Sequence, residues 1–125
     1  MRPSTLAEVA AMALEGELFG RCLANFLDGF YLRPSENALA VEPQRMREKI
    51  RDGEVFDAYL AATAEEIARK YKFPHPKWAY AEDRKLRSPW FATEMQSLRA
   101  TLLLESPPGF RSRNLFVTEN ALTRA

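Results

Sequence analysis

Cysteine is almost missing from this chain, with Cys22 alone among 125 residues. No intramolecular disulfide can form and no cysteine-based zinc site can be assembled, so a reducing, cytoplasmic compartment is expected. Histidine is equally scarce: His75 is the only one, and neither a His-Glu-x-x-His pattern nor an EF-hand loop occurs. No metal site and no cofactor is therefore expected. The five glycines are scattered and build neither G-x-x-x-x-G-K-[ST] nor G-x-G-x-x-G, which removes the usual phosphate cradles. Long apolar runs are missing too. Nowhere do about 18 apolar residues follow one another, so no membrane span is expected. Residues 1–19 carry Glu8, Glu15 and Glu17 without a basic region leading into an apolar block, which argues against a signal peptide.

What the chain does contain fits one globular domain over residues 1–125. A content of 46% hydrophobic and 28% charged residues is enough to bury a core and too apolar for a disordered chain. The net charge is only +1, but it is unevenly spread. Residues 1–68 hold 7 Lys/Arg against 12 Asp/Glu, residues 69–89 hold 7 against 2, and residues 90–125 hold 4 against 3. An anionic partner for the basic stretch is one reading, and a charge match with the acidic N-terminal half is the plainer one.

The apolar spacing is helical throughout. Thr5 and Glu8 form a capping-box pattern ahead of Leu6, Val9, Ala10, Ala13 and Leu14. The period continues through Phe19, Cys22, Leu23, Phe26, Leu27 and Phe30 to a stop at Arg33-Pro34-Ser35. Gly16 and Gly20 make this either one bent helix or two short ones. Cys22 on this stripe reads as a small core residue. A short helix is expected to start at Pro43. Residues 54–71 give the clearest helix, with Phe56, Tyr59, Leu60, Thr63, Ala64, Ile67 and Tyr71 on its apolar stripe. Asp57, Glu65, Glu66, Arg69 and Lys70 are expected on a solvated face. Phe73-Pro74-His75-Pro76 forces an extended connection, and His75 reads as an exposed loop residue. Ser88-Pro89 is expected to start a last long helix buried through Trp90, Phe91, Met95, Leu98, Leu102 and Leu103, ending at Glu105-Ser106-Pro107-Pro108-Gly109. After it, Phe110 to Val117 is either a short helix or an extended arm. Runs of alternating apolar and polar residues are missing, so the expected fold is all-α, a bundle of about four to six helices with a partly extended C-terminal segment.

Two clusters stand out as candidate partner-binding residues. Trp78 and Tyr80 lie close to Arg84 and Lys85, a mixture that suits protein interfaces. Arg111, Arg113 and Asn114 lie between Phe110 and Phe116, where two guanidinium groups either recognise an anionic group or lock the tail onto an acid such as Glu105. The lock is favoured for Arg111 and the partner for Arg113.

The C-terminal part also resembles a family of small bacterial helical proteins. The pattern is Pro-Trp-Phe at Pro89, Trp90 and Phe91, then Leu98-Arg99. It continues as Glu-Ser-Pro-x-x-Phe-Arg-x-Arg-Asn-Leu-Phe-Val on Glu105, Ser106, Pro107, Phe110, Arg111, Arg113, Asn114, Leu115, Phe116 and Val117. Asp57, Ala58, Tyr59 and Leu60 join it, so the resemblance spans roughly residues 53–125. Members of that family are often encoded beside predicted nucleotidyltransferase-like toxins, which implies an antitoxin-like partner role. No catalytic residue is carried over, because none is assigned in that family. The expectation is a non-enzymatic interaction protein with a protein partner, a co-encoded toxin being one candidate. The alternatives are a nucleic-acid-binding regulator using residues 69–89, and a small enzyme using His75 or a carboxylate pair.

Overall fold

The computed structural model describes residues 2–124 and is all-α apart from one minimal strand pair. The first helix, α1, runs Leu6–Leu14. The Thr5 hydroxyl accepts from the Glu8 backbone N–H at 3.1 Å, and the Glu8 carboxylate accepts from the Ser4 N–H at 2.9 Å. Two N–H groups that the first turn cannot satisfy itself are thereby paired. The helix ends before Gly16, which adopts φ +107°, and α2 then runs Phe19–Leu32. The two-helix alternative is the one realised, because the left-handed conformation at Gly16 turns the chain at no side-chain cost.

A four-residue helix, α3, covers Asn37–Ala40. The helix expected from Pro43 is not formed. Met46 and Arg47 instead donate their backbone N–H groups to the Asp57 carboxylate at 2.8 and 3.1 Å, and Glu48 and Asp52 take positive φ. Neither arrangement is compatible with a continuing helix.

The central element is α4, Gly53–Tyr71. Of its expected solvated face, Arg69 and Lys70 are exposed, whereas Asp57 and Glu65 are buried. The helix lies between two apolar clusters: Leu60, Ala61, Ala64, Ile67 and Ala68 pack with α1 and α2. Val55, Ala58 and Ala62 pack with Phe110, Leu115 and Val117. Alanine on opposite sides lets neighbours approach closely, so Asp57 and Glu65 are carried into the interior along with them.

After the proline-bounded connection, 3-10 turns cover Lys77–Tyr80 and Glu82–Arg84. The strands β1, Trp90–Phe91, and β2, Leu115–Phe116, pair in parallel. The helix expected to begin at Ser88-Pro89 is thus displaced. Trp90 donates to the Asn114 carbonyl at 2.9 Å and Ala92 to Phe116 at 3.0 Å, with Phe91 and Phe116 rings 5.1 Å apart. This long-range ladder competes successfully with a local cap signal. The helix α5 starts only at Gln96 and ends at Glu105, followed by α6, Pro108–Arg111. The C-terminal segment is docked: Phe110, Leu115, Phe116 and Val117 are buried. Tyr31 also donates its hydroxyl to the Leu122 carbonyl at 2.8 Å. No helix among the described residues is long and apolar enough to cross a membrane.

Candidate functional site

Two arginines are fully enclosed, and both came from the candidate partner-binding set. Arg113, in the turn after α6, donates through Nη1 to Glu65 at 2.7 Å and to the Gly109 carbonyl at 2.6 Å. Its Nη2 donates to the Ala79 carbonyl at 2.7 Å. Arg84 donates to the Asp57 carbonyl at 3.2 Å and to the Pro43 carbonyl at 2.6 Å, and its guanidinium lies over the Trp78 ring at 4.8 Å. A buried guanidinium needs such acceptors, since an unpaired charge inside a protein is costly. Neither group reaches the surface, so the reading of Arg84 and Arg113 as surface contacts for a partner does not hold. They tie the loops to α4. The Nε atoms of both find no acceptor among the described residues.

The acids around them are shifted accordingly. Burial pushes the Glu65 carboxyl up, but hydrogen bonds and charge from Arg113 and Arg69 outweigh it and leave the group below its ordinary value. Asp57 goes the other way, because burial dominates its two backbone hydrogen bonds. Burial, and then the neighbouring Arg45, lowers the Arg84 guanidinium. Glu66 accepts from the Gly109 N–H at 2.8 Å and also pairs with Arg69. Glu65 and Glu66 are therefore both engaged in fixing α6 to α4, and neither forms a free acid–base pair.

Of the remaining candidates, Trp78 is half-buried and donates its indole N–H to the Leu39 carbonyl at 2.9 Å. Asn114 takes φ 63° and donates to the Leu86 carbonyl at 2.8 Å, so it shapes the entry to β2. Arg111 is exposed and caps the end of α5 through the Leu104 and Ser106 carbonyls at 3.3 and 2.8 Å. Tyr80 and Lys85 stay on the surface. The Tyr80 hydroxyl is 2.7 Å from Nδ1 of His75, with the two rings stacked and the imidazole in an exposed loop. Cys22 is a buried, free thiol in the core.

Part of the basic stretch is engaged within the fold, while Lys72, Lys77 and Arg87 stay exposed. Arg69 pairs with Glu65 and Glu66, Arg84 is enclosed, Lys70 lies over Tyr31 and Tyr71, and Lys85 approaches Glu82 at 3.8 Å. No group of three or more His, Cys, Asp or Glu side chains is placed to hold a metal ion among the described residues.

The surface feature that sequence reasoning misplaced is α5. Eight of its ten residues are exposed and Leu102 alone is buried. Leu98, Leu103 and Leu104 are 44%, 46% and 83% exposed, with Met95 at 59% just before the helix. Leu98 and Leu103 read as core because apolar spacing reports that a face is covered, not by what. Single exposed apolar residues are ordinary, but four fall here within ten positions, and at 3.6 residues per turn Leu98, Leu103 and Leu104 stand on different sides of α5. Phe91 and Arg99 support its base, the guanidinium lying 4.9 Å from the ring. Known protein families, curated proteins and solved structures provide no match to this chain.

Proposed function

We propose that this chain is a non-enzymatic interaction protein that offers α5 to a protein partner. The observation that carries the reading is the exposure of Leu98, Leu103 and Leu104 on a helix that contributes one side chain to its own core. A ten-residue helix is too short to be stable alone in water, and most helical stability comes from packing one face. A partner that packs around α5 covers leucines that stand on different sides of it. Tyr80, Lys85 and Arg111 are the candidate residues left on the surface for such a contact.

The resemblance to proteins encoded beside nucleotidyltransferase-like toxins suggests what that partner is, and supports an antitoxin-like role. The internal use of the charged groups favours interaction over chemistry. Glu65, Arg84 and Arg113 are held by neighbours in the fold, and His75 has Tyr80 as its hydrogen-bond partner. The nucleic-acid reading draws less support, because Arg69 and Arg84 of the basic stretch point to internal acceptors.

Co-expression with the product of the adjacent gene tests the proposal. The expected result is a co-purifying complex and growth rescue, both lost when Leu98→Asp and Leu104→Asp are combined while the melting temperature holds. A complex that survives the double change, or no complex and no rescue with the intact chain, rejects it.

A further inference from the structure

A cleft of about 320 Å³ opens between α2 and α4, away from α5, and its lining is apolar except at one end. Phe19 and Phe56 form one wall, with rings 4.2 Å apart and 10° from parallel, and Tyr59 meets Phe19 edge-on at 6.0 Å. Phe56, Tyr59 and Trp90 are only half-buried, so each keeps part of its aromatic surface turned outward beside this space.

Gly20 lines the cleft and has no reason of its own to be glycine. Its backbone is helical with an ordinary negative φ, and a Cβ built on it meets nothing within 4 Å. A Cβ therefore fits the fold at this position, and glycine is the choice that leaves the cleft widest there. Among the described residues, Arg124 is the only charged one on the lining. Its Nε and Nη2 donate to Asp28 at 2.8 and 3.3 Å, while Nη1 donates to no described residue. A cation at one end of an aromatic slot complements an anion carried on an apolar body.

We propose that this cleft binds a flat, apolar organic anion of one or two rings, its body against Phe56, Tyr59 and Trp90 and its charged group at Arg124 Nη1. The volume lies at the lower end of the about 300–1,000 Å³ typical of small-molecule sites, which sets the ring count. Offset and edge-on contacts with the exposed aromatic faces favour a planar ligand over a flexible chain. The site is independent of the partner-docking role given to α5.

The probe is 2-naphthalenesulfonate, titrated into the full chain and followed by calorimetry. Saturable binding with one site is expected. Gly20→Leu should weaken it by about tenfold or more with a melting temperature equal to or above that of the parent chain. Arg124→Gln should weaken the sulfonate but leave the uncharged 2-naphthol unaffected, and this arm stands even if Gly20→Leu fails to fold. Non-saturable binding overturns the proposal. So does undiminished affinity in both variants, or a loss seen only on changing Leu98 and Leu104 to Asp, which would assign the probe to α5.

Discussion

Arg113 Nη1 donates to Glu65 Oε1 at 2.7 Å, which ties the turn after α6 to the middle of α4 across 48 positions of sequence. The same guanidinium holds the Gly109 and Ala79 carbonyls, so a single side chain fixes three segments. Both partners are buried, and the pair is best understood by what its loss leaves behind: a carboxylate and two carbonyls with fewer donors in a dry environment.

Arg113→Ala should accordingly lower stability by about 3–5 kcal/mol, the range for breaking a buried ion pair, with Arg69 still at Glu65 keeping the loss toward the lower end. Arg111→Ala removes exposed hydrogen bonds to the Leu104 and Ser106 carbonyls and should cost about 1 kcal/mol or less. Urea unfolding of the two variants checks the order. Equal losses would mean that Arg113 is not the lock.

Acid should destabilise the fold through the lowered carboxyls. Asp83 is held below its ordinary value first by its hydrogen bond from Arg45, and Glu65 by arginine contacts that outweigh its burial. A group whose folded value is depressed contributes stability that is present above its unfolded value and lost as pH falls through the folded one. The loss therefore begins near the unfolded carboxyl range of about pH 4 and deepens below it. Asp57 has the opposite sign, since burial raises it and protonation relieves that cost. Unfolding midpoints measured against pH should show a flatter acid limb for Glu65→Gln and a steeper one for Asp57→Asn.

Gly53 opens α4, where glycine to alanine would ordinarily favour a helix. Here a Cβ would lie 2.0 Å from the Met46 carbonyl oxygen and 2.4 Å from its carbon, on the backbone that Asp57 clamps. Gly53→Ala should lower stability by about 1–3 kcal/mol, the usual cost of overpacking, or prevent folding. A stabilised variant, read by thermal unfolding, would show that this close approach is wrong.

Local signals in the sequence were legible and long-range ones were not. Thr5 and Glu8 announce the start of α1 because their hydrogen bonds close within one turn. Arg33-Pro34 likewise marks the end of α2 at Leu32. Ser88-Pro89 carries an equally good start signal, yet Trp90 and Phe91 pair with Leu115 and Phe116, which no local pattern announces. Glu65 and Asp57 read as solvated because α4 has polar residues between its apolar ones. Only the docking of α6 and β2 on that side reveals the second buried face. In α5, the leucine spacing identified an apolar helix correctly, but spacing carries no information on whether the covering surface belongs to the same chain.

Hydrogen–deuterium exchange of the chain, free and bound to the adjacent gene product, tests the docking role of α5 most directly. In the free protein the amides of residues 96–105 should exchange faster than those of α4, because Leu102 is the only α5 side chain in the core. On binding, the account predicts that these α5 amides slow the most. Protection concentrated on residues 69–89, with α5 exchanging at its free rate, would contradict it.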